Sequence, residues 1–157
     1  MKKLIYILLI LGFYNGFSQE RKTASFNELD FEFNKDTTLV KVKKAGKYLN
    51  GEYKMIVNPE KNEYSLCEFR DGKLVGLQKN YRNGILTGTK EFENGMKNGY
   101  EIVYDQTGEH MMWKIHFVDG KKHGITWWGD TGSEYYINGE KATQAEFEEY
   151  EKNKKHK

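Results

Sequence analysis

The groups in this 157-residue chain with the chemistry for a site are four histidines, one cysteine, four serines and many carboxylates. His110 and His116 stand six residues apart, a spacing that can put both on one face of a β-strand. A zinc site would also need Cys or carboxylate companions at tight spacing, and none accompanies them. Ordinary surface or half-buried histidines are therefore expected, with His123 and His156 among them. The carboxylates fall in turn sequences, such as Asp71 and Asp119, or in a charged C-terminal stretch with Glu146, Glu148 and Glu149. No isolated pair lies among apolar residues, where one partner would be held protonated for acid–base work. Ser18, Ser25, Ser65 and Ser133 lie outside any Gly-x-Ser-x-Gly elbow. The glycines follow strand-and-turn spacing, with no helix after them, so they form neither a phosphate loop nor a dinucleotide fingerprint. We assign no catalytic residue, no metal ligand and no cofactor, and read the chain as a non-enzyme.

Residues 1–18 read as a secretory signal peptide. Lys2 and Lys3 precede an unbroken apolar run from Leu4 to Leu11, and Gly16 and Ser18 supply the small residues before a cut at Gln19. The run is shorter than the roughly 20 residues that span a bilayer, so no integral membrane segment is expected after cleavage. The expected location is the periplasm or the extracellular space. Cys67 is the single cysteine, so an oxidising compartment brings no internal disulfide; a buried, unreactive thiol is expected. The chain carries 25 basic and 23 acidic residues, and loss of the two leader lysines leaves the mature protein at 23 of each. A nucleic-acid partner would need a basic face, and the one basic cluster is the tail Lys152, Lys154, Lys155 and Lys157.

The elements that position everything else are set by aromatic residues and glycine. Aromatics make up 15% of the chain and there is one proline, which argues against disorder and for a β-protein that buries rings. A tetrapeptide of aromatic, any residue, Asn or Asp, and Gly recurs at Tyr48–Gly51, Phe69–Gly72, Tyr81–Gly84, Phe92–Gly95, Phe117–Gly120 and Tyr136–Gly139. Looser copies run from Tyr104 to Gly108 and from Trp128 to Gly132. From Phe69 onward the aromatic returns after 12, 11, 12, 13, 11 and 8 residues, a repeat of one strand and one turn per unit. Asn-Gly and Asp-Gly are the preferred two-residue hairpin loops. The fold expected is all-β: an antiparallel meander of hairpin repeats in one elongated sheet. Parallel pairing is disfavoured, because no crossover segment is available.

A second glycine follows four residues after several turn glycines, in the pairs Gly72/Gly76, Gly84/Gly88, Gly95/Gly99 and Gly120/Gly124. Hairpin arithmetic sets Phe69, Tyr81, Phe92 and Phe117 diagonally beside them, so each ring is expected to lie over a bare glycine backbone. The 12-residue unit breaks the alternation of faces, which predicts a bulge within 76–81. Asn58-Pro59 opens a loop to about Asn62, and residues 19–30 read as a loose arm. Thr143 and Glu146 form a capping-box signature ahead of Phe147 and Tyr150, predicting a short amphipathic helix over 143–154 that covers the last edge or end of the sheet. The organisation expected is a leader over 1–18, an arm with strands over 19–47, a repeat sheet over 48–139, and a capping helix with its basic tail over 140–157.

The repeated pattern Gly-x-x-x-Gly-x-x-x-x-aromatic-x-x-Gly resembles MORN repeats, and more closely the bacterial MORN-variant proteins known as YwqK-like antitoxins. The resemblance covers residues 48–139 and is strongest over 69–99 and 117–139. It departs from the pattern at Met112, where a second glycine would fall, and in the long stretch 51–69 with Pro59. It implies a scaffold of β-hairpins and a protein partner such as a toxin. With a leader in place, the version that fits is an immunity protein facing a toxin in the periplasm. The alternative is a structural envelope protein whose aromatic face binds glycan, peptidoglycan or lipid headgroups. Trp127 and Trp128 are adjacent, so they point to opposite faces of a strand. Partner contact is expected at the exposed member of that pair, then at Trp113, unless the N-terminal strands, the helix or a curl of the sheet cover the face.

Overall fold

Residues 21–33 and 39–155 are described by the computed structural model; the leader at 1–18 and the last two tail residues lie outside them. The turn dipeptides set the architecture. Asp71, Asn83, Asn94, Asp119 and Asn138 all take positive φ, between 47° and 52°, and each is followed by a positive-φ glycine. That is the backbone of the two-residue hairpin loop the sequence prescribes. The strands they join are β5 (Gly51–Asn58), β6 (Glu63–Arg70), β7 (Lys73–Arg82), β8 (Ile85–Glu93), β9 (Met96–Tyr104), β10 (Met111–Val118), β11 (Lys121–Lys122), β12 (Gly124–Trp127), β13 (Ser133–Ile137) and β14 (Glu140–Ala142). They pair antiparallel in sequence order as one meander, with β11 and β12 both against β10.

The N-terminal segment departs from a loose arm. β1 (Lys22–Ser25) adds to the open edge of β5 and runs parallel to it, Ala24 opposite Met55. Parallel pairing is possible here because a crossover does exist: β2 (Leu29–Phe33), β3 (Leu39–Lys44) and β4 (Lys47–Tyr48) form a separate three-stranded sheet between β1 and β5. The first tetrapeptide copy, Tyr48–Gly51, therefore makes no hairpin. It is the passage from the small sheet to the large one, with Leu49 buried in it.

The small sheet is tied down by backbone. Val42 N–H donates to Gly72 O at 2.8 Å, Gly72 N–H to Leu49 O at 2.8 Å, and Leu49 N–H to Val42 O at 3.1 Å. Gly72 cannot be replaced without cost: its φ is +77°, and a Cβ there would sit 2.8 Å from Val42 O and 2.7 Å from the Tyr48 ring. Beneath this clasp lies the main core, with Ala24, Leu29, Val42, Leu49, Tyr53, Met55, Cys67 and Phe69 buried and Phe31 and Leu74 packed against them. Tyr53 and Phe69 meet edge to face at 5.7 Å.

The second glycines do not sit beside the rings expected of them: Gly76, Gly99 and Gly124 oppose the aromatic of the next unit instead, Phe92, Phe117 and Tyr136. Between Leu66↔Lys79 and Glu68↔Val75, β7 carries two residues more than β6, which places the expected bulge at Gly76–Gln78. The same two-residue excess recurs at Gly99, between Lys90↔Glu101 and Phe92↔Lys97. It recurs at Gly124, between Phe117↔Lys122 and Lys114↔Trp127. Gly76, Gly99 and Gly124 have φ of 67°, 110° and 85°, whereas Gly88 has no positive φ and lies flat against Ile102 O. A Cβ added at the three bulge glycines would lie nearest Glu68, Glu91 and His116, each the residue before the aromatic, and not Phe69, Phe92 or Phe117. The bulge turns the strand so that the ring's predecessor takes the place the ring was expected to fill. A further one-residue shift at Thr87 lets Asn80 oppose Gly88 while Tyr81 opposes Leu86.

The structural unit is thus a hairpin of two strands. The turns at one edge interlock: Gly95 N–H donates to Leu74 O, Gly120 N–H to Lys97 O and Gly139 N–H to Lys122 O, at 2.8–2.9 Å. The chain closes with α1 (Gln144–Lys154), capped as the sequence predicts. Glu146 accepts from Thr143 N–H at 2.8 Å, and Thr143 Oγ1 accepts from Glu146 N–H at 3.3 Å. Phe147 and Tyr150 rest on Tyr135 and His123, each with rings 5.7 Å apart, so α1 covers the end of one face of the sheet.

Candidate functional site

Register assigns every strand residue to one of two faces. The core face runs through the paired residues Met55, Ser65, Asn80, Gly88, Val103 and Trp113. The helix face runs through Lys54, Leu66, Lys79, Thr89, Ile102, Lys114 and Trp127.

The three tryptophans separate accordingly. Trp127 opposes Lys114 on the helix face. Trp113 lies on the core face, and the Trp128 ring stands 6.1 Å from it. All three are half-buried, so the pair does not divide into one buried and one exposed member. Trp128 is fixed by Glu134, which accepts its indole N–H at 2.9 Å. Glu134 also accepts from Lys141 Nζ at 2.5 Å and from Tyr136 Oη at 3.0 Å. Lys141 first, then Trp128 and Tyr136, hold its carboxyl down to about 2. The lysine stems complete the cover of this end: Lys97 Nζ lies 4.6 Å from the Phe117 ring centre, and Lys122 reaches both Trp128 and Tyr136.

Between the small sheet and Trp113 no described residue covers the core face. A groove of about 650 Å³ opens there, floored by Asn80, Gly88, Lys90, Glu101 and Val103 and walled by Arg82, Trp113 and the turn after Tyr104. Its charges are matched. Burial opposes ionisation of Glu101, but the Lys97 ammonium at 2.5 Å and Lys90 at 3.5 Å outweigh it and lower its pKa. Arg82 pairs with Glu63 at 2.7 Å. Asp105, at the rim, accepts from Thr107, Gly108 and His110 and is held well below the usual carboxylate range, the Thr107 hydroxyl contributing most. Asn80, which lines the groove, accepts at Oδ1 from both Ser65 and Gln78 at 2.7 Å, which fixes the plane of its amide.

The remaining candidates stay apart. His110 binds Asp105 and His116 binds the His123 carbonyl, so no shared ligand site forms from the first two. Among the described residues no cluster of three or more His, Cys, Asp or Glu could hold a metal ion, and no helix is long and apolar enough to cross a membrane. Cys67 is buried, and desolvation pushes its thiol up to about 12. Asn80, Arg82, Lys90 and Glu101 escaped sequence reasoning. Alternation from Trp113 could have reached Glu101 through hairpin register, but Asn80 lies beyond the one-residue shift at Thr87.

On the helix face Leu77, Tyr100 and Ile125 are 47%, 40% and 50% exposed, in a band crossing the sheet from β7 to β12. Lys114 Nζ sits 3.9 Å from the Tyr100 ring and Lys54 Nζ 4.0 Å from Tyr64. Lys54, Lys79 and Lys114 make no ion pair with any described residue. Compared with family models, curated proteins and solved structures, the chain matches none.

Proposed function

We propose that this chain is an exported, non-catalytic β-repeat module that binds a protein partner through its helix face. The observation that carries the reading is the register row Lys54, Leu66, Lys79, Thr89, Ile102, Lys114 and Trp127, which sets three lysines with no ion-pair partner among the described residues beside Leu66, Ile102 and Trp127. A surface with exposed aliphatic and aromatic residues, and with lysines unpaired among the described residues, suits a protein surface that brings carboxylates of its own. Immunity to a toxin delivered into the periplasm is the most concrete form of this function, and the likeness to YwqK-like antitoxins supports it. The test is capture of a stoichiometric protein from envelope extract by the mature chain. The captured protein should be released by added salt and lost with the double variant Lys79→Glu/Lys114→Glu. Retention on purified wall or liposomes, with no protein captured, would overturn it.

A further inference from the structure

On the opposite face, we infer that the core-face groove is a binding site for an uncharged, β-linked oligosaccharide. This goes beyond the protein-docking reading and depends on none of its residues. Volume and shape come first. At about 650 Å³, open along one side, the groove has the size of a small-ligand site and room for a short run of sugars. Its wall is Trp113, whose ring is backed by Trp128 and, through it, by Glu134. A pyranose ring with equatorial substituents presents flat C–H faces, and an indole is the side chain that best matches such a face while leaving the sugar hydroxyls wet.

The floor supplies the polar half of the recognition. Asn80 is locked by the hydrogen bonds its oxygen accepts from Ser65 and Gln78, so its two N–H donors are oriented before a ligand arrives. Glu101 offers carboxylate lone pairs and Lys90 ammonium donors, both set by their mutual contact at 3.5 Å. Fixed planar acceptors and donors beside one another are what vicinal hydroxyls require.

Charge selects the ligand class. Arg82 is matched by Glu63, and Lys90 and Lys97 share Glu101. Asp105 is occupied by its own turn. An anionic chain would have to break these pairs, whereas a neutral one need only displace water.

The probes are the trimer of β-1,4-linked N-acetylglucosamine and cellotriose, titrated into the ¹⁵N-labelled mature protein, with maltotriose and trigalacturonate as controls. Saturable shifts of the Trp113 indole signal, with the Trp127 indole unmoved, are expected for a β-linked probe. The α-linked and anionic controls should bind at least about tenfold more weakly. Trp113→Ala should abolish binding. Arg82→Ala, on the exposed rim, should weaken it severalfold in a protein whose melting temperature is unchanged. Absence of saturable shifts with either β-linked probe would overturn the proposal, as would stronger binding of trigalacturonate or shifts confined to Trp127. Loss of the captured protein partner in Lys79→Glu/Lys114→Glu would leave these titrations untouched, so the two readings fail separately.

Discussion

Gly72 and Gly84 occupy the same position in the same kind of turn, with φ of +77° and +81°, yet their surroundings differ. An added Cβ at Gly84 meets nothing within 4 Å, while one at Gly72 strikes the Val42 carbonyl and the Tyr48 ring. Gly84→Ala should therefore cost about 1 kcal/mol, the conformational strain alone. Gly72→Ala should cost about 2–4 kcal/mol, because backbone cannot move aside without loosening the small sheet; urea unfolding of the two variants checks the difference. His123 is the other residue with a consequence of its own. Its Nδ1 accepts from Asn138 N–H at 3.3 Å, leaving the proton on Nε2, 3.9 Å from Glu151. Burial first, then the charges of Lys154 and His116, lower its pKa from 6.5, against Glu151 and the Asn138 contact. The folded protein thus binds this proton less readily than the unfolded chain. Stability is fully present above a pH of about 6.5 and falls as pH drops from there through the folded pKa. The urea midpoint of the native chain should decline between about pH 7 and pH 5, and His123→Gln should flatten that decline.

At the scale of elements, the hairpins were legible because each turn is encoded locally: Asn-Gly or Asp-Gly needs no information from the rest of the chain. The capping box of α1 was legible for the same reason. Thr143→Ala should remove its N-cap at a cost of about 1 kcal/mol to the helix. Since α1 buries none of its residues fully, the loss should appear as faster amide exchange over residues 147–154, with little change in the global melting temperature. The strands expected within 19–47 are present as β2 and β3, but their closure into a separate small sheet was not legible. Asn50-Gly51 has the composition of a hairpin turn, but its flanks belong to different sheets. What decides this is the long-range donation from Val42 to Gly72, which no local pattern carries. The bulges were half legible: an irregularity lies within 76–81, at Gly76–Gln78, but its two-residue excess leaves the alternation of faces unchanged, and Tyr81, opposite Tyr64, stays on the face away from Phe69. The hairpin arithmetic treated all four glycine pairs as equivalent, and so missed that three sit after turns at one edge while Gly88 follows a turn at the other. The groove was hidden by the same gap. Polar residues such as Asn80 and Lys90 look like solvent-facing strand positions until the register shows them sharing a floor.

For the molecule as a whole, the order of the large sheet follows the order of the chain from β5 to β14, with β1 at one edge and β14 at the other. Each hairpin touches chiefly its neighbours and is fastened to the preceding one by a turn-glycine N–H. β1 and β14 thus lie on opposite margins of the sheet, and a load applied between them would run across the strands. Pulled in an optical trap by its termini, the protein should come apart from its C-terminal margin at low force, in steps of one hairpin. Gly72, Gly95 and Gly120 are 23 and 25 residues apart, so each step should lengthen the tether by about 80 Å. A single all-at-once rupture would show that the margins are mechanically coupled. The last piece to yield should be the region where the small sheet clasps β5 to β7, which makes this molecule an extensible strip with one reinforced end.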